Sequence, residues 1–292
     1  MAQILDGQEI ARQVRAEVKA DVDALLQQGR RPPYLAVVLV GDDPASASYV
    51  RGKHKAAADV GIAGDTLTFD STISEAELLG VVDRLNADDG VDGILVQLPL
   101  PKHIDEHKVI DAIRPDKDVD GFHPESVGRV VIGRPSFAPA TPAGILEMLQ
   151  RAGIEVRGRH VVVVGRSNIV GKPMANLLVQ KGVDATVTVC HSRTPDLGAM
   201  TRQADILIAA VGQAEMIGAD MVKPGAVVID VGMNRVDDAT RPRGYRLTGD
   251  VDFEAVREKA SWITPVPGGV GPMTIAMLLQ NTLKAYTARQ SP

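Results

Sequence analysis

Apolar residues along the chain follow two patterns, a helical period in some segments and short continuous runs in others. Between residues 8 and 28 they recur every three or four positions, which predicts an amphipathic helix. Continuous runs at Leu35–Gly41 and Gly93–Pro101 are typical of strands that are buried on both faces. Residues 115–139, with their prolines, are expected to be irregular. Further helices are predicted at residues 46–59, 75–86, 105–113 and 141–153.

The second half of the chain alternates strands and helices more regularly. Its predicted strands are Val161–Val164, Thr186–Cys190, Ile206–Val211, Val227–Val231 and Trp262–Thr264. The helices between them are predicted at residues 172–180, 196–203 and 220–223. Such alternation favours parallel strands with right-handed crossovers. We therefore expect two α/β domains, residues 1–140 and 141–272, the second a Rossmann-like doubly wound parallel sheet, with a C-terminal helix (273–292) returning to the first domain.

Composition narrows the class of protein. The 292 residues are 45% hydrophobic and 24% charged, and a net charge of −5 argues against bulk nucleic-acid binding. A single cysteine, Cys190, excludes an intrachain disulfide and a cysteine-based zinc cluster. The six histidines do not pair at metal-ligand spacing, so no metal site is predicted. No apolar run reaches the roughly 18 residues of a membrane span, and the N-terminus lacks a signal-type apolar core, so we expect a cytoplasmic protein.

The segment VVVVGRSNIVGKPM (161–174) is a buried strand that leads into a glycine-containing turn and a helix. Free backbone N–H groups at such a helix start favour phosphate binding. The spacing departs from the usual dinucleotide fingerprint, because Ser167 takes the place of the middle glycine. It is not a Walker A loop either, because Pro173 replaces the residue that would hold magnesium. A nucleotide-phosphate loop and an ordinary strand-to-helix turn both remain open on spacing alone.

The first half of the chain also contains polar residues that are candidates for catalysis or ligand binding. Tyr49 and Lys53 are four residues apart on a predicted helix and share one face, as many surface pairs do. Gln97 interrupts an apolar strand, where a buried amide needs a partner. The acidic run 116–121 (DKDVDG) resembles an EF-hand opening but lacks the glutamate at Val127. The run is either a solvent-exposed acidic turn or a ligand site in which one aspartate binds a ring with several N–H donors.

Seven segments together resemble, in order, the bifunctional methylenetetrahydrofolate dehydrogenase/methenyltetrahydrofolate cyclohydrolase (FolD) family. They are SASYVRGKHKAAADVGI (46–62), GILVQLPLP (93–101), PDKDVDGFHP (115–124), FAPATPAG (137–144), VVVVGRSNIVGKPMANLL (161–178), CHSRT (190–194) and ITPVPGGVGPMTIAML (263–278). The resemblance covers nearly the whole chain. It implies a cytosolic homodimer that oxidises 5,10-methylenetetrahydrofolate to 5,10-methenyltetrahydrofolate with a nicotinamide cofactor and hydrolyses the product to 10-formyltetrahydrofolate.

The resemblance also assigns roles to residues in the first domain, which it makes the catalytic, folate-binding domain. The implied catalytic residues are Lys53, Tyr49, Gln97 and Asp120, with Lys53 carrying a proton and Asp120 binding the pterin. The implied substrate-binding residues are Ser46, Tyr49, Gln97, Leu98, Asp120, Pro267, Gly268 and Gly271. Without the resemblance, the glycines from 268 onward would indicate only a tight turn before a helix.

The second domain is implied to bind the cofactor. Its second strand ends in CHSRT and not in the acidic residue that takes a ribose diol, so Ser192 and Arg193 suit a 2′-phosphate and predict NADP over NAD. The implied cofactor contacts are Gly165, Arg166, Ser167, Gly171, Ser192, Arg193, Met233 and Thr274.

Three other functions remain open on the sequence. A dehydrogenase-only relative would keep the second-domain turn, although Lys53 argues against it. An amino-acid or shikimate dehydrogenase-like enzyme shares the two-domain plan but does not explain Tyr49, Lys53 and Gln97 together. A folate- or nucleotide-binding protein without turnover is the non-enzymatic alternative. His123 is expected to be an exposed loop residue.

Overall fold

Ten α-helices and eleven strands form in the part of the chain that the computed structural model describes, residues 1–241 and 244–290. The helices are α1 (Gly7–Gln27), α2 (Pro44–Asp59), α3 (Glu75–Ala87), α4 (Glu106–Ala112), α5 (Pro124–Val131), α6 (Ala140–Arg151), α7 (Gly171–Leu178), α8 (Leu197–Thr201), α9 (Phe253–Arg257) and α10 (Val270–Gln290). The strands are β1 (Gln3–Ile4), β2 (Tyr34–Val40), β3 (Ala63–Phe69), β4 (Gly93–Val96), β5 (His160–Val164), β6 (Thr186–Cys190), β7 (Ile206–Ala209), β8 (Val227–Asp230), β9 (Asn234–Asp237), β10 (Tyr245–Thr248) and β11 (Trp262–Ile263).

The chain divides into two units. The three-stranded unit comprises Arg12–Ala140 and the C-terminal residues from Ile275, and the six-stranded unit comprises Met1–Ala11 and Thr141–Thr274. The first eleven residues therefore belong with the second half of the chain, although the sequence analysis assigned residues 1–140 to one domain. The last two residues of the predicted returning segment lie outside the described residues.

The three-stranded unit holds a parallel sheet in the order β3-β2-β4. Six of the seven residues of β2 are buried, because helices cover both faces of a parallel sheet. One apolar core contains Val38, Ile94 and Val96 from the sheet together with Leu78 and Val82 from α3. The Ser74 hydroxyl and the Glu77 carboxylate cap the start of α3 reciprocally, which fixes where this helix begins.

Two predictions for this unit were wrong in detail. The strand predicted to run to Pro101 ends at Val96, so Gln97 lies just beyond the strand and not within it. The region expected to be irregular contains α5. Its Pro124 occupies the first helical turn, where proline is tolerated, and His123 Nδ1 accepts a hydrogen bond from Glu125 N at 3.0 Å. His123 is thus a partly buried helix cap and not an exposed loop residue.

The six-stranded unit holds a parallel sheet in the order β1-β11-β8-β7-β5-β6. The chain runs from β5 to β6 at one edge and then returns to β7 on the other side of β5. In such doubly wound sheets, the loops that follow the two strands at this reversal leave a crevice that binds ligands. The predicted fold class is confirmed, and the crevice is expected between the loops after β5 and β7.

The short or polar elements of this unit were not correctly predicted from the sequence. Strand β1 has only two residues, and β9 and β10 form an antiparallel hairpin with an alternating, half-polar pattern. The helix predicted at 220–223 is a 3₁₀ turn at Ala219–Met221. Across the described ranges, no helix combines the length and apolar character needed to cross a membrane.

Candidate active site and cofactor-binding edge

A buried lysine is the centre of the candidate active site in the three-stranded unit. Lys53 lies on α2 with 4% of its surface exposed, and its Nζ donates a hydrogen bond to Gln97 Oε1 at 3.0 Å. The same ammonium lies 4.8 Å from the centroid of the Tyr49 ring, one helical turn earlier. The structure therefore brings together Tyr49, Lys53 and Gln97, which lie on α2 and just after β4.

The environment of this lysine favours a neutral amine. Burial lowers the pKa of Lys53, and the charge of Asp120 opposes that shift in part. Its hydrogen-bond acceptor, Gln97, is an uncharged amide, so this contact does not hold the proton as a carboxylate would. A lowered pKa makes this amine a better carrier of protons near neutral pH than a free lysine, whose pKa is about 10.4.

Gln97 is held at both ends of its amide. Its Oε1 accepts from Lys53, and its Nε2 donates to the Leu98 carbonyl oxygen at 2.7 Å. Since the lysine is a donor and the carbonyl an acceptor, only one orientation of the amide satisfies both contacts. Ser46 is buried at the start of α2, where its backbone N–H donates to the Asp43 carboxylate at 2.7 Å.

The charged residues of the acidic run 116–121 have different roles in the structure. Asp116 pairs with Arg114 at the surface. Lys117 is buried and donates to three carbonyl oxygens at and just after the C-terminal end of α3. Asp118 accepts hydrogen bonds from Phe122 N and His123 N, which closes the turn.

Asp120 is the remaining aspartate of this run. Within the residues that the structure covers, no group donates a hydrogen bond to its carboxylate. Burial raises the pKa of Asp120 to about 6, while the charge of Lys53 acts in the opposite direction. A carboxylate that the fold leaves unused is suited to bind a ligand with N–H donors. In the described part of the chain, no cluster of three or more histidine, cysteine or acidic side chains could hold a metal ion.

The predicted glycine turn lies at the crevice edge of the six-stranded unit. Gly165 follows β5 with φ of +123°, and a Cβ atom there would overlap the Ala210 carbonyl oxygen after β7. A Cβ atom on Gly171 would overlap the Gly165 carbonyl, so α7 begins in direct contact with the turn. The Ser167 hydroxyl accepts from Val170 N at 3.1 Å, which fixes the turn just before α7 begins.

Exposed basic and hydroxyl side chains line this edge. Arg166 extends from the turn after β5, and Ser192 and Arg193 follow the neighbouring strand β6. Their loop is fixed locally, because His191 N donates to Thr194 Oγ1 at 2.9 Å and Arg193 N to His191 Nδ1 at 3.1 Å. Glycines that permit close backbone approach, next to exposed cationic groups, fit the phosphates of a dinucleotide.

The remaining predicted contacts lie in the loops after β8 and β11 and at the start of α10. Gly268 has φ of +109°, and its carbonyl accepts from Gln8 N at 3.0 Å. Met233 is exposed, and its terminal methyl lies 3.5 Å from where a Cβ of Gly271 would stand. The Thr274 hydroxyl hydrogen-bonds the Thr141 hydroxyl at 2.8 Å, and Pro267 is exposed. The residues after β8 and after β11 are thus near one another.

A buried carboxylate that the sequence analysis missed organises the loop after β7. Asp250 is fully buried and accepts from the backbone N–H groups of Val211, Gly212 and Gln213 at 2.6, 2.9 and 2.9 Å. It also accepts from Asn234 Nδ2 at 2.9 Å. A carboxylate with four donors is a strong anchor. It fixes the loop that forms one side of the expected crevice.

Comparison with known proteins identifies the family. Family models match residues 5–120 as the tetrahydrofolate dehydrogenase/cyclohydrolase catalytic domain and residues 139–290 as the NAD(P)-binding domain of the same family. The chain belongs to the tetrahydrofolate dehydrogenase/cyclohydrolase family. This confirms the family predicted from the seven sequence segments.

Relatives of this family match over nearly their entire length. The bifunctional protein FolD of Salinibacter ruber is 63% identical over 99% of this chain and 97% of its own. The crystal structure of bifunctional FolD from Campylobacter jejuni has a TM-score of 0.93 at 46% identity, covering 99% of this chain and 100% of that one. The Trypanosoma brucei dehydrogenase-cyclohydrolase, solved with NADP and an inhibitor, has a TM-score of 0.95 at 40% identity, covering 100% and 99%.

Proposed function

We propose that this chain is a bifunctional enzyme that oxidises 5,10-methylenetetrahydrofolate with NADP and then hydrolyses 5,10-methenyltetrahydrofolate to 10-formyltetrahydrofolate. The comparisons confirm the prediction of an enzyme with dehydrogenase and cyclohydrolase activities. The observation that carries the second activity is the buried Lys53 amine, held by a neutral amide and lowered in pKa. A dehydrogenase-only enzyme has no need for such a group.

Lys53 is the proposed proton carrier of the hydrolysis. Water attacks the cationic methenyl carbon, and one proton must leave that water while one ring nitrogen becomes a leaving group. A buried amine of lowered pKa takes the proton from the water and returns it to the nitrogen. A cationic substrate nearby favours the neutral amine further. Gln97 orients the amine, and the Tyr49 ring offers a flat surface to an aromatic part of the substrate.

Asp120 is the proposed pterin-binding group. Its carboxylate has two oxygens to accept N–H bonds from the aminopyrimidine ring, and no described residue occupies them. Ser46 and Leu98 are proposed to line the same site, since Ser46 lies one turn before Tyr49 on α2 and Leu98 follows Gln97. Pro267, Gly268 and Gly271 are proposed substrate contacts in the six-stranded unit.

NADP is the cofactor, and when bound it supplies the hydride acceptor for the first reaction. We propose that the turn residues Gly165, Arg166, Ser167 and Gly171 hold its diphosphate. Ser192 and Arg193 are proposed to contact the 2′-phosphate, since β6 ends without the acidic residue that would bind a ribose diol. Met233 and Thr274 are proposed further contacts. The exposed arginines and the close-packed glycines support this assignment.

The assembly and the domain limits are also proposals. We propose a cytoplasmic homodimer that binds neither nucleic acid nor membrane, as the family resemblance and the acidic net charge indicate. The catalytic domain is proposed as residues 1–140 with 273–292, and the NADP-binding domain as residues 141–272, with the difference that residues 1–11 pack with the six-stranded unit. Light scattering of the purified protein at micromolar concentration measures the oligomeric state directly.

Lys53→Met tests the central proposal. Absorbance of methenyltetrahydrofolate is followed with and without NADP for the wild type, for Lys53→Met and for Lys55→Met, an exposed lysine on the same helix. We expect Lys53→Met to lose hydrolysis by more than a hundredfold while its fold persists, and Lys55→Met to resemble the wild type. Wild-type hydrolysis by a folded Lys53→Met would exclude Lys53 as the proton carrier, and oxidation without hydrolysis in the wild type would establish a dehydrogenase-only enzyme.

A further inference from the structure

A buried amide on α10 connects two loops of the three-stranded unit. Asn281 is 8% exposed, and its Nδ2 donates hydrogen bonds to the Val119 carbonyl oxygen at 2.8 Å and to the Ala138 carbonyl oxygen at 3.1 Å. Since the amide nitrogen carries two protons, one side chain satisfies both carbonyls. Asn281 thus ties the segment around Val119 to the segment around Ala138.

The first of these carbonyls belongs to the peptide group that leads into Asp120. A peptide group is planar, so a hydrogen bond to the Val119 oxygen also fixes the orientation of the Asp120 nitrogen. Gly121, on the other side, has φ of +72°, and a Cβ atom there would lie 2.7 Å from the Phe137 carbonyl and 2.8 Å from Pro139 N. The backbone on both sides of Asp120 is therefore fixed against the 137–139 segment.

Asp120 gains its position from few other contacts. Asp118 closes the turn through Phe122 N and His123 N, but these bonds hold residues after the aspartate. The carboxylate itself accepts no hydrogen bond within the described part of the protein. Among the hydrogen bonds of the described residues, the Asn281 amide restrains the peptide group immediately before Asp120, and the bond from Gly121 N to the Asp118 carbonyl oxygen at 3.1 Å restrains the one after it.

We propose that Asn281 is a positioning residue for the folate site, acting through the Val119 peptide on the Asp120 carboxylate. This inference rests on the proposed role of Asp120. The inference predicts that removal of the Asn281 amide lowers the affinity for folate but not the affinity for NADP.

The test compares KM values in the dehydrogenase reaction. Asn281→Leu removes both donors at similar volume, and Asn281→Ser keeps a single donor should the leucine variant not fold. Thr282→Val is the matched control, because Thr282 is fully buried, adjacent on α10 and hydrogen-bonded only to Leu278 O of its own helix among the described contacts. We expect Asn281→Leu to raise the KM for 5,10-methylenetetrahydrofolate at least fivefold with the KM for NADP unchanged, and Thr282→Val to alter neither.

A double-mutant cycle with Asp120→Asn separates positioning from a general structural effect. If Asn281 acts through Asp120, adding Asn281→Leu to Asp120→Asn raises the folate KM by much less than fivefold, because the group that it positions is already impaired. Full additivity, or equal changes in both KM values, would overturn the inference while leaving the role of Asp120 intact. A wild-type folate KM in Asp120→Asn would overturn the role of Asp120 and the inference with it.

Discussion

Lys53 Nζ and Gln97 Oε1 lie 3.0 Å apart, and the lysine has an amide as its partner where a stabilising ion pair would use a carboxylate. A carboxylate at that place would favour the ammonium and work against the proton transfer that hydrolysis needs. Asp120 supplies a negative charge to the site without a direct hydrogen bond to Lys53. The arrangement keeps the amine buried and oriented while leaving its proton exchangeable.

Gln97→Glu should convert this contact into an ion pair. The new carboxylate raises the pKa of Lys53, so less of the neutral amine is present at pH 7. We expect hydrolysis at pH 7 to fall at least tenfold and the rising limb of its pH profile to move to higher pH by about one unit or more. The profile is measured from methenyltetrahydrofolate absorbance after subtraction of the uncatalysed rate.

Gln97→Met is the control for that shift. It removes the hydrogen bond without adding charge, so hydrolysis should slow while the profile does not move to higher pH. A profile of wild-type position in Gln97→Glu would show that the protonation of Lys53 does not limit the reaction.

The pKa of Asp120 predicts a pH dependence of folate binding. Burial raises this pKa to about 6, so the carboxylate is largely protonated at pH 5 and ionised at pH 8. A protonated carboxyl loses part of its capacity to accept N–H bonds from the pterin. We expect the KM for 5,10-methylenetetrahydrofolate to rise as pH falls through about 6, by up to about tenfold per pH unit. Asp120→Asn should have a higher KM that lacks this step, and a step of equal size in Asp120→Asn would assign it to another group.

Local sequence patterns were sufficient to predict part of this site. Tyr49 and Lys53 are one helical turn apart, so a helix over residues 46–59 places both on one face wherever that helix packs. The run of β-branched residues before Gly165 likewise specifies a buried strand and the turn that follows it. In both cases the partners are close in the chain, and the period of the secondary structure determines their geometry.

Long-range partners could not be predicted in this way. Asp116, Asp118 and Asp120 cannot be told apart in the sequence. In the structure, Asp116 pairs with Arg114, and Asp118 accepts from the N–H groups of residues 122 and 123. Asn281 lies about 160 residues from Val119 in a helix with an otherwise ordinary pattern. The two-residue strand β1 is shorter than any periodic signal, and only its pairing with β11 defines it.

Asp250→Asn tests the carboxylate that anchors the loop after β7. An asparagine has one acceptor oxygen and turns an NH₂ group toward the remaining donors, so at least two of the four hydrogen bonds to the charged carboxylate are lost. Such bonds contribute about 1.5–3 kcal/mol each, and we expect the free energy of unfolding to fall by about 3 kcal/mol or more. Because this loop packs against Gly165, the KM for NADP should rise several-fold while the folate KM changes less. Asp252→Asn, which alters only the cap of α9, should change the stability little, because asparagine caps a helix about as well as aspartate, and it should leave both KM values unchanged. Denaturant unfolding and steady-state kinetics on the two variants decide the matter, and an Asp250→Asn protein of wild-type stability and NADP affinity would show that the loop holds its conformation without this anchor.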